Sequence, residues 1–479
     1  MNATRASGAP SPDAIVVGSG PNGLAAALTL ARAGVSVAIY EGAPTAGGGC
    51  QTEELTLPGF HHDLCSTVHP LLAASPFFRD HPLPGVTLKA SRVAFAHPLD
   101  HGRAAAAIGT VAETADLLGT DGEAYRRLLE PLAQEASAIV ASVLAPLVRP
   151  PSHPLAMTRF GLRGVIPATV LARRFRGEPA RALLAGLAAH SMQPLSAPGT
   201  SAFALVLGLL AHTVGWPVVE GGSARVIDAM LGELAAAGAG VQTGRWVHSL
   251  DDLPVSRMTL LDLSARAVAE LLRDRVRSRY RAALRRFRYG PGACKVDWAL
   301  DGPVPWMSEI CREATTLHLG GTFEEILHSE AEVAAGRHPE RPFCIAVQPC
   351  VADPTRAPDG QHTFYAYCHV PPGSPANMRE RIERQVERFA PGFRERVLAH
   401  RTTTAIELER HNPNVVGGDL NCGAATLRQT LIRPVLSLDP YRTPDPRFYI
   451  CSASAPPGGG VHGMCGVGAA RSALRHLGL

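Results

Sequence analysis

Lysine is almost missing from this chain of 479 residues: Lys89 and Lys295 stand alone, and arginine carries nearly all the positive charge. Aromatic residues make up 5% and charged residues 18%, against 46% hydrophobic. That balance excludes a disordered or collagen-like polypeptide and leaves a folded enzyme or binding protein. Long hydrophobic runs are lacking too. The longest, Ala202 to Leu210, is far short of the ~20 residues of a spanning helix; it reads as a core helix, with a monotopic surface contact left open. The ten cysteines form no CxxC pair and no tight cluster with histidine, so zinc and iron–sulfur sites have no support, and the CxxxxC of a disulfide-reducing enzyme is absent. Met1 to Asp13 has no apolar stretch of the kind a secretory signal needs, and the expectation is a cytoplasmic protein with reduced thiols. A net charge of +4 is too slight over this length to argue for nucleic acid. At ~100 to 200 residues per domain, two or three domains are expected.

What is present starts at Ala14. Ala14 to Val17 is a short β-favouring run, followed by Gly18-Ser19-Gly20-Pro21-Asn22-Gly23, a helical stretch Leu24 to Ala33, Gly34 as a C-cap and a strand Val35 to Tyr40 ending at Glu41. This is a βαβ unit with a dinucleotide fingerprint. Gly18 permits the tight turn, Gly20 lets the backbone approach a pyrophosphate, and Gly23 allows close helix-to-strand packing at a helix N-terminus that attracts anions. Glu41, with Gly42 beside it, is placed to accept hydrogen bonds from ribose hydroxyls and to repel a 2′-phosphate. A second bare patch, Gly47-Gly48-Gly49, follows closely and favours FAD over NAD. No second nucleotide-binding unit lies downstream, so a separate NAD(P)H domain has no support.

The far end of the chain repeats the theme. Phe448 to Cys451 reads as a strand, Ser452 to Pro457 as a turn, and Gly458-Gly459-Gly460-Val461-His462-Gly463 leads into a helix from Met464 to Leu477. Such a loop can present N–H groups to an anion, which in a flavoenzyme would be the N1–C2=O2 edge of the reduced ring. The Gly18 to Glu41 fingerprint with Gly47-Gly48, the middle Glu220-Gly221-Gly222-Ser223 opening a helix, and Pro457 to Gly463 resemble the phytoene-desaturase-like and flavin amine oxidase superfamily over nearly the whole chain. Tyr441-Arg442-Thr443-Pro444 followed by Pro456 to Gly463 is most similar to bacterial phytoene dehydrogenase-related proteins.

The resemblance implies an α/β fold: a three-segment, glutathione-reductase-type Rossmann-like FAD-binding domain over 1–75, 216–265 and 440–479. It is interleaved with a mixed α+β substrate domain over 76–215 and 266–439. It also implies cofactor contacts from Gly18 to Gly23, Glu41, Gly42, Gly47 to Gly49, Val247 against the adenine, Cys451, Ser452, Gly459, Gly460, Val461 and Gly463. Gly221 and Gly222 cap a helix Ala224 to Ala237, and Val241 to Leu250 reads as a strand. Two departures stand out: Gly49 and Cys50 occupy the place of the family's arginine, and the stretch from Leu250 to Met258 is shorter than the family's hairpin.

Three residues are candidates for chemistry. Lys295, in Gly292-Ala293-Cys294-Lys295-Val296-Asp297-Trp298, is similar to the strand lysine that amine oxidases link through water to the flavin; the other reading is a strand lysine paired with a carboxylate. His69 follows the first FAD stretch and either faces the site or is a satisfied structural histidine. His462 lies in the glycine loop, where its side chain can turn away and leave only backbone at the cofactor. Cys451 and Cys465 read as small buried side chains rather than covalent flavin anchors. Asp419 and Asn421 either line a substrate entrance or form a Gly-Asp turn. Arg273 to Arg288 reads as a solvated helix packed on its apolar stripe, or as a docking face for anionic lipid. Leu128 to Leu147 and Leu183 to Leu210 suit either an apolar tunnel or ordinary core helices. The expected function is FAD-dependent desaturation of an apolar, polyene or isoprenoid-type molecule by hydride transfer, with oxygen or a quinone as electron acceptor and peripheral membrane contact left open. Amine or alcohol oxidation on the same fold is the second reading, and a non-catalytic flavin-binding protein the third.

Overall fold

Ala14–Val17, with every side chain buried, is the central strand of a five-stranded sheet in the computed structural model, which describes residues 11–479. Residues 1–10, on which the reading of an N-terminus without a secretory signal largely rests, lie outside that range. The strand order is Phe448–Ile450, Met258–Leu261, Ala14–Val17, Val37–Tyr40, Gly240–Gln242, and every pairing is parallel. Parallel strands need crossovers, and their apolar runs need cover on both faces. The helices Pro21–Arg32, Ala224–Ala236 and Met464–Leu477 pack together against this sheet. Gly466 sets the closest approach: a Cβ there would stand 1.9 Å from the Asn22 carbonyl of the neighbouring helix.

A second sheet of seven strands runs Val397–Thr403, Gly292–Leu300, His362–Val370, Cys344–Val347, Ala314–Leu319, Val93–Pro98, Ala104–Ile108. Its pairings are antiparallel except between Ala314–Leu319 and Val93–Pro98. Strand alternation sorts Gly292–Leu300. Cys294, Val296, Trp298 and Leu300 enter a core with Ile382, Val386 and Phe389 of helix Arg379–Phe389, while Lys295 and Asp297 share the opposite face. A helical layer, including Gly122–Gln134, Glu178–Ala189 and Thr200–Ala211, packs against Phe95, Ala105, Ala107, Phe343 and Ile345 of this sheet region.

The expected strand from Val241 to Leu250 is shorter in the structure and stops at Gln242. Gly244, at φ +65°, donates its N–H to the Ala43 carbonyl and Arg245 donates to the Glu41 carbonyl, so the chain turns back over Glu41 to Ala43. Leu250–Asp252 is a 3-10 turn, and residues 253–257 run directly into Met258–Leu261. All ten cysteines are free thiols. Among the described residues no single helix is long and apolar enough to cross a membrane, and no group of side chains is arranged to hold a metal ion.

Candidate functional site

The glycine fingerprint lies at the C-terminal ends of the parallel strands, where ligands of open α/β sheets bind. A Cβ on Gly20 would stand 2.7 Å from Asp262 Oδ2, and one on Gly23 would stand 2.2 Å from the Gly18 carbonyl. The second patch meets the first: Gly48, at φ +55°, would place a Cβ 3.1 Å from Gly20 Cα. Two stretches of bare backbone therefore face each other, a cradle that side chains would fill. Glu41 closes its far end. One carboxylate oxygen accepts the Ser19 N–H at 2.8 Å and the Ser19 hydroxyl at 2.6 Å, and the other accepts the Ala43 N–H at 2.8 Å. A carboxylate has about four acceptor positions, so capacity for a ribose hydroxyl remains.

The cradle opens into a cavity of about 1450 Å³, larger than the ~300 to 1,000 Å³ of an ordinary small-molecule pocket. Of the sequence-selected cofactor residues, Gly18, Ser19, Gly20, Pro21, Asn22, Glu41 and Gly42 line it, as do Gly48, Gly49, Val247, Ser452, Gly459, Gly460 and Val461. Four others are brought near without reaching the wall. Gly23 N–H donates to Asp262 Oδ2 at 3.0 Å, Gly47 N–H to the Ser19 carbonyl at 3.2 Å, and Cys451 N–H to the Leu261 carbonyl at 3.0 Å within the sheet. Gly463 starts the last helix at φ +69°, where a Cβ would press on Ala25 and Phe77.

His462 turns away from the cavity. Burial pushes its pKa down to about 4, and the neutral ring accepts the Met464 N–H on Nδ1 at 3.0 Å and donates from Nε2 to the Gly458 carbonyl at 3.2 Å. It pins the loop that presents Gly459 to Val461. His69 does line the cavity. The Ser223 hydroxyl gives its proton to the Ser66 carbonyl, so it accepts from His69 Nε2 at 2.8 Å, and the Nδ1 lone pair is left without a partner. Burial holds this ring neutral as well, near a pKa of about 4.

Lys295 is not on the wall. Its ammonium pairs with Asp297 two residues along the same strand face and donates to the Asp63 carbonyl at 2.9 Å. It also stands 4.4 Å from the centre of the Tyr365 ring. This is the carboxylate-paired lysine of the second reading. Asp63 is itself tied to Arg356, and both side chains are fully buried. Burial alone would raise the Asp63 pKa, but Arg356, Thr52 and the Ser223 amide together hold it below the ordinary carboxylate range. Asp419 forms a turn, its carboxylate accepting the Gly290, Asn421 and Gly423 amides, while Asn421 reaches the cavity and donates to the His190 carbonyl at 3.3 Å.

The inner wall was not legible as a site in the sequence. It combines His190, Leu207, Trp216, Ile345, Val347, Tyr365 and Tyr367 from three separate elements and two loops. The one signal was the alternation that puts Tyr365 and Tyr367 on a single strand face, opposite Asp297 and Lys295 in register. His190 is backed by buried His318, Nε2 to Nε2 at 2.9 Å. Burial pushes the His190 pKa down to about 3, so one neutral ring donates to the other. Trp246 was missed too; it covers Gly42 at the outer end, where a Cβ would meet its ring at 2.3 Å.

Residues 16–80 match the model of the NAD(P)-binding Rossmann-like domain. The mouse (Mus musculus) pyridine nucleotide-disulfide oxidoreductase domain-containing protein 2 is 28% identical, over 98% of this chain and 94% of its own. Among solved structures, an oxidoreductase from Methanosarcina mazei superposes with a TM-score of 0.64 at 18% identity, covering 95% of this chain and 98% of that one. A redesigned putrescine oxidase superposes with a TM-score of 0.62 at 16% identity, covering 98% and 99%. The chain shares the fold of these two structures, with a Rossmann-like domain at its start. At these identities the superpositions establish architecture, and the chemistry has to be argued from the cavity.

Proposed function

We propose that the chain is an FAD-dependent oxidoreductase of the phytoene dehydrogenase-like type, removing a hydride from an uncharged, apolar molecule and passing electrons to oxygen or a quinone. One observation carries this reading: a single cavity joins the glycine cradle to a wall formed by His190, Leu207, Trp216, Ile345, Val347, Tyr365 and Tyr367, none of which carries a carboxylate, ammonium or guanidinium group. A charged amine buried there would lose its hydration without an anionic partner. Amine oxidation is therefore the second reading, reached through a neutral amine or alcohol.

The residues present fit FAD. Gly18 to Asn22 and Gly48 offer a pyrophosphate bare backbone and a helix N-terminus, Glu41 offers acceptors to ribose hydroxyls, and Gly459 to Val461 border the inner half. When bound, the flavin supplies the hydride acceptor. The chain's own residues exclude water and orient the substrate with Trp216, Tyr365 and Tyr367. His69, kept neutral by burial, has Nδ1 without a hydrogen-bond partner beside the cavity. The test is anaerobic mixing of flavin-loaded protein with polyene and isoprenoid alcohol panels and with amines, read as bleaching of the visible flavin band. Bleaching by amines alone would replace desaturation by the second reading, and none across all panels would leave the non-catalytic one.

Contact with a lipid surface belongs to this proposal, on a different face from the arginine-rich helix. Val276, Leu284 and Phe287 of that helix region are buried in the core, which uses up its apolar stripe. From Leu147 to Gly177, by contrast, there are six arginines and no acid. Leu155 and Leu162 there are 75% and 72% exposed, beside Arg163 and beside Arg159, which pairs with Glu135. Leu438 is 75% exposed, and Arg149 donates to its carbonyl at 2.8 Å. Basic and apolar groups interleaved on one surface suit an anionic bilayer. The protein is expected to sediment with phosphatidylglycerol vesicles and not with phosphatidylcholine vesicles, and Leu155→Asp with Leu162→Asp should abolish it. Equal partitioning of the double variant would remove this face from the proposal.

A further inference from the structure

The cradle contains one group that none of these roles uses. Asp262 follows strand Met258–Leu261, is buried, and lines the cavity. All three fingerprint glycines close on it: Cβ atoms at Gly18, Gly20 and Gly23 would stand 2.8, 2.7 and 2.9 Å from atoms of Asp262. Its Oδ2 accepts the Gly23 N–H at 3.0 Å, in the first turn of the helix whose N-terminus the fingerprint turns toward a pyrophosphate. No cation bonds to it among the described residues. The charged and titratable groups that act on it are Glu41 across the cradle and the thiols of Cys422, Cys451 and Cys465 beneath. The nearby amide of Asn414 donates to the Asp262 main-chain carbonyl at 3.2 Å rather than to its carboxyl group. An acid therefore stands where an anion is to bind, with no positive charge between them.

Two anions held close together in a buried site repel strongly, and the more basic of the two takes a proton. We propose that Asp262 is a further cofactor-binding residue that holds a proton whenever a pyrophosphate occupies the cradle, so that the dinucleotide binds together with one proton. In the neutral form the carboxyl group keeps its acceptor oxygen toward the Gly23 amide and offers its O–H to a phosphate oxygen. The proton is within reach at neutral pH: burial pushes the Asp262 pKa up to about 7, with the Gly23 amide opposing and Glu41 adding to the rise. The inference rests on the FAD reading above.

The test titrates apoprotein with FAD between about pH 6 and about pH 9, following flavin fluorescence and, by calorimetry in buffers of different ionisation enthalpy, the protons taken up. The wild-type Kd is expected to be flat below about pH 7 and to rise roughly tenfold per unit above it, with uptake approaching one proton per FAD. The isosteric Asp262→Asn should show no such rise and bind at about pH 9 as the wild type does at about pH 6. A pH-independent wild-type Kd, or identical profiles for the two proteins, would overturn the inference and leave the FAD reading intact. Failure of both proteins to bind FAD at any pH would instead overturn that reading. Denaturant midpoints of the apoproteins report on the proton separately. A folded-state pKa raised from about 4 to about 7 means that stability falls as pH rises through that window and levels off above it. Asp262→Asn should lack this fall; Asp262→Ser serves the same comparison if the amide does not fold.

Discussion

Replacing Gly48 with valine is expected to raise the dissociation constant for FAD by at least about a hundredfold, equivalent to ~2.7 kcal/mol. Two costs combine there. Gly48 sits at φ +55°, where a β-branched residue is strained by ~1 to 3 kcal/mol. Its side chain would also project toward Gly20 Cα, 3.1 Å away, and close the gap between the two glycine patches. Gly238→Val is the matched control, since Gly238 has φ +75° with no atom within 4 Å of a Cβ. It should lose some stability and keep its affinity. Fluorescence titration of both apoproteins decides the matter, and an unchanged Kd for Gly48→Val would remove the second glycine patch from the cofactor site.

The second large effect concerns the buried charges beside the cavity. Arg356→Met should destabilise the protein by about 3 to 5 kcal/mol, because it strands the Asp63 carboxylate in a site from which water is excluded. Asp63→Asn combined with Arg356→Met should recover much of that loss. The sign with pH follows from the lowered Asp63 pKa: the contribution is fully present above the unfolded value of about 4 and disappears as acid titrates the folded group below it. Lys295→Met should likewise destabilise the protein, because it strands the buried Asp297 carboxylate, and Lys295→Met with Asp297→Asn should recover much of that loss. Chemical denaturation of the four variants measures this. A flavin reoxidation rate that changed for Lys295→Met while stability did not would restore the amine-oxidase role to that lysine.

Gly48 could be read in advance as part of a cofactor site, whereas the pairing of Arg356 with Asp63 could not. The strand Ala14–Val17, the turn at Gly18, the helix beginning at Pro21 and the last helix Met464–Leu477 follow from contiguous residues with strong local preferences. Lys295-Val296-Asp297 contained a partial signal as well, since alternation alone puts its two charges on one face. Arg356 and Asp63 are 293 residues apart, and nothing local pairs them. Asp262 escaped notice because an acid after a short strand has no meaning until the strand is known to lie beneath the glycine turn. The strand foreseen over Val241 to Leu250 ended early because its backbone found partners at Ala43 and Glu41 rather than in the sheet.

The sequence by itself determined the glycine cradle, because turns, caps and alternating strands are written in neighbouring residues and their backbone geometry is local. Only the tertiary structure decided that His462 holds a loop while His69 faces the cavity, that Lys295 is bound to Asp297, and that Asp262 stands against the three fingerprint glycines. Those outcomes depend on which distant elements become neighbours. Burial then fixes the protonation and partner of each group, and burial belongs to the folded chain as a whole.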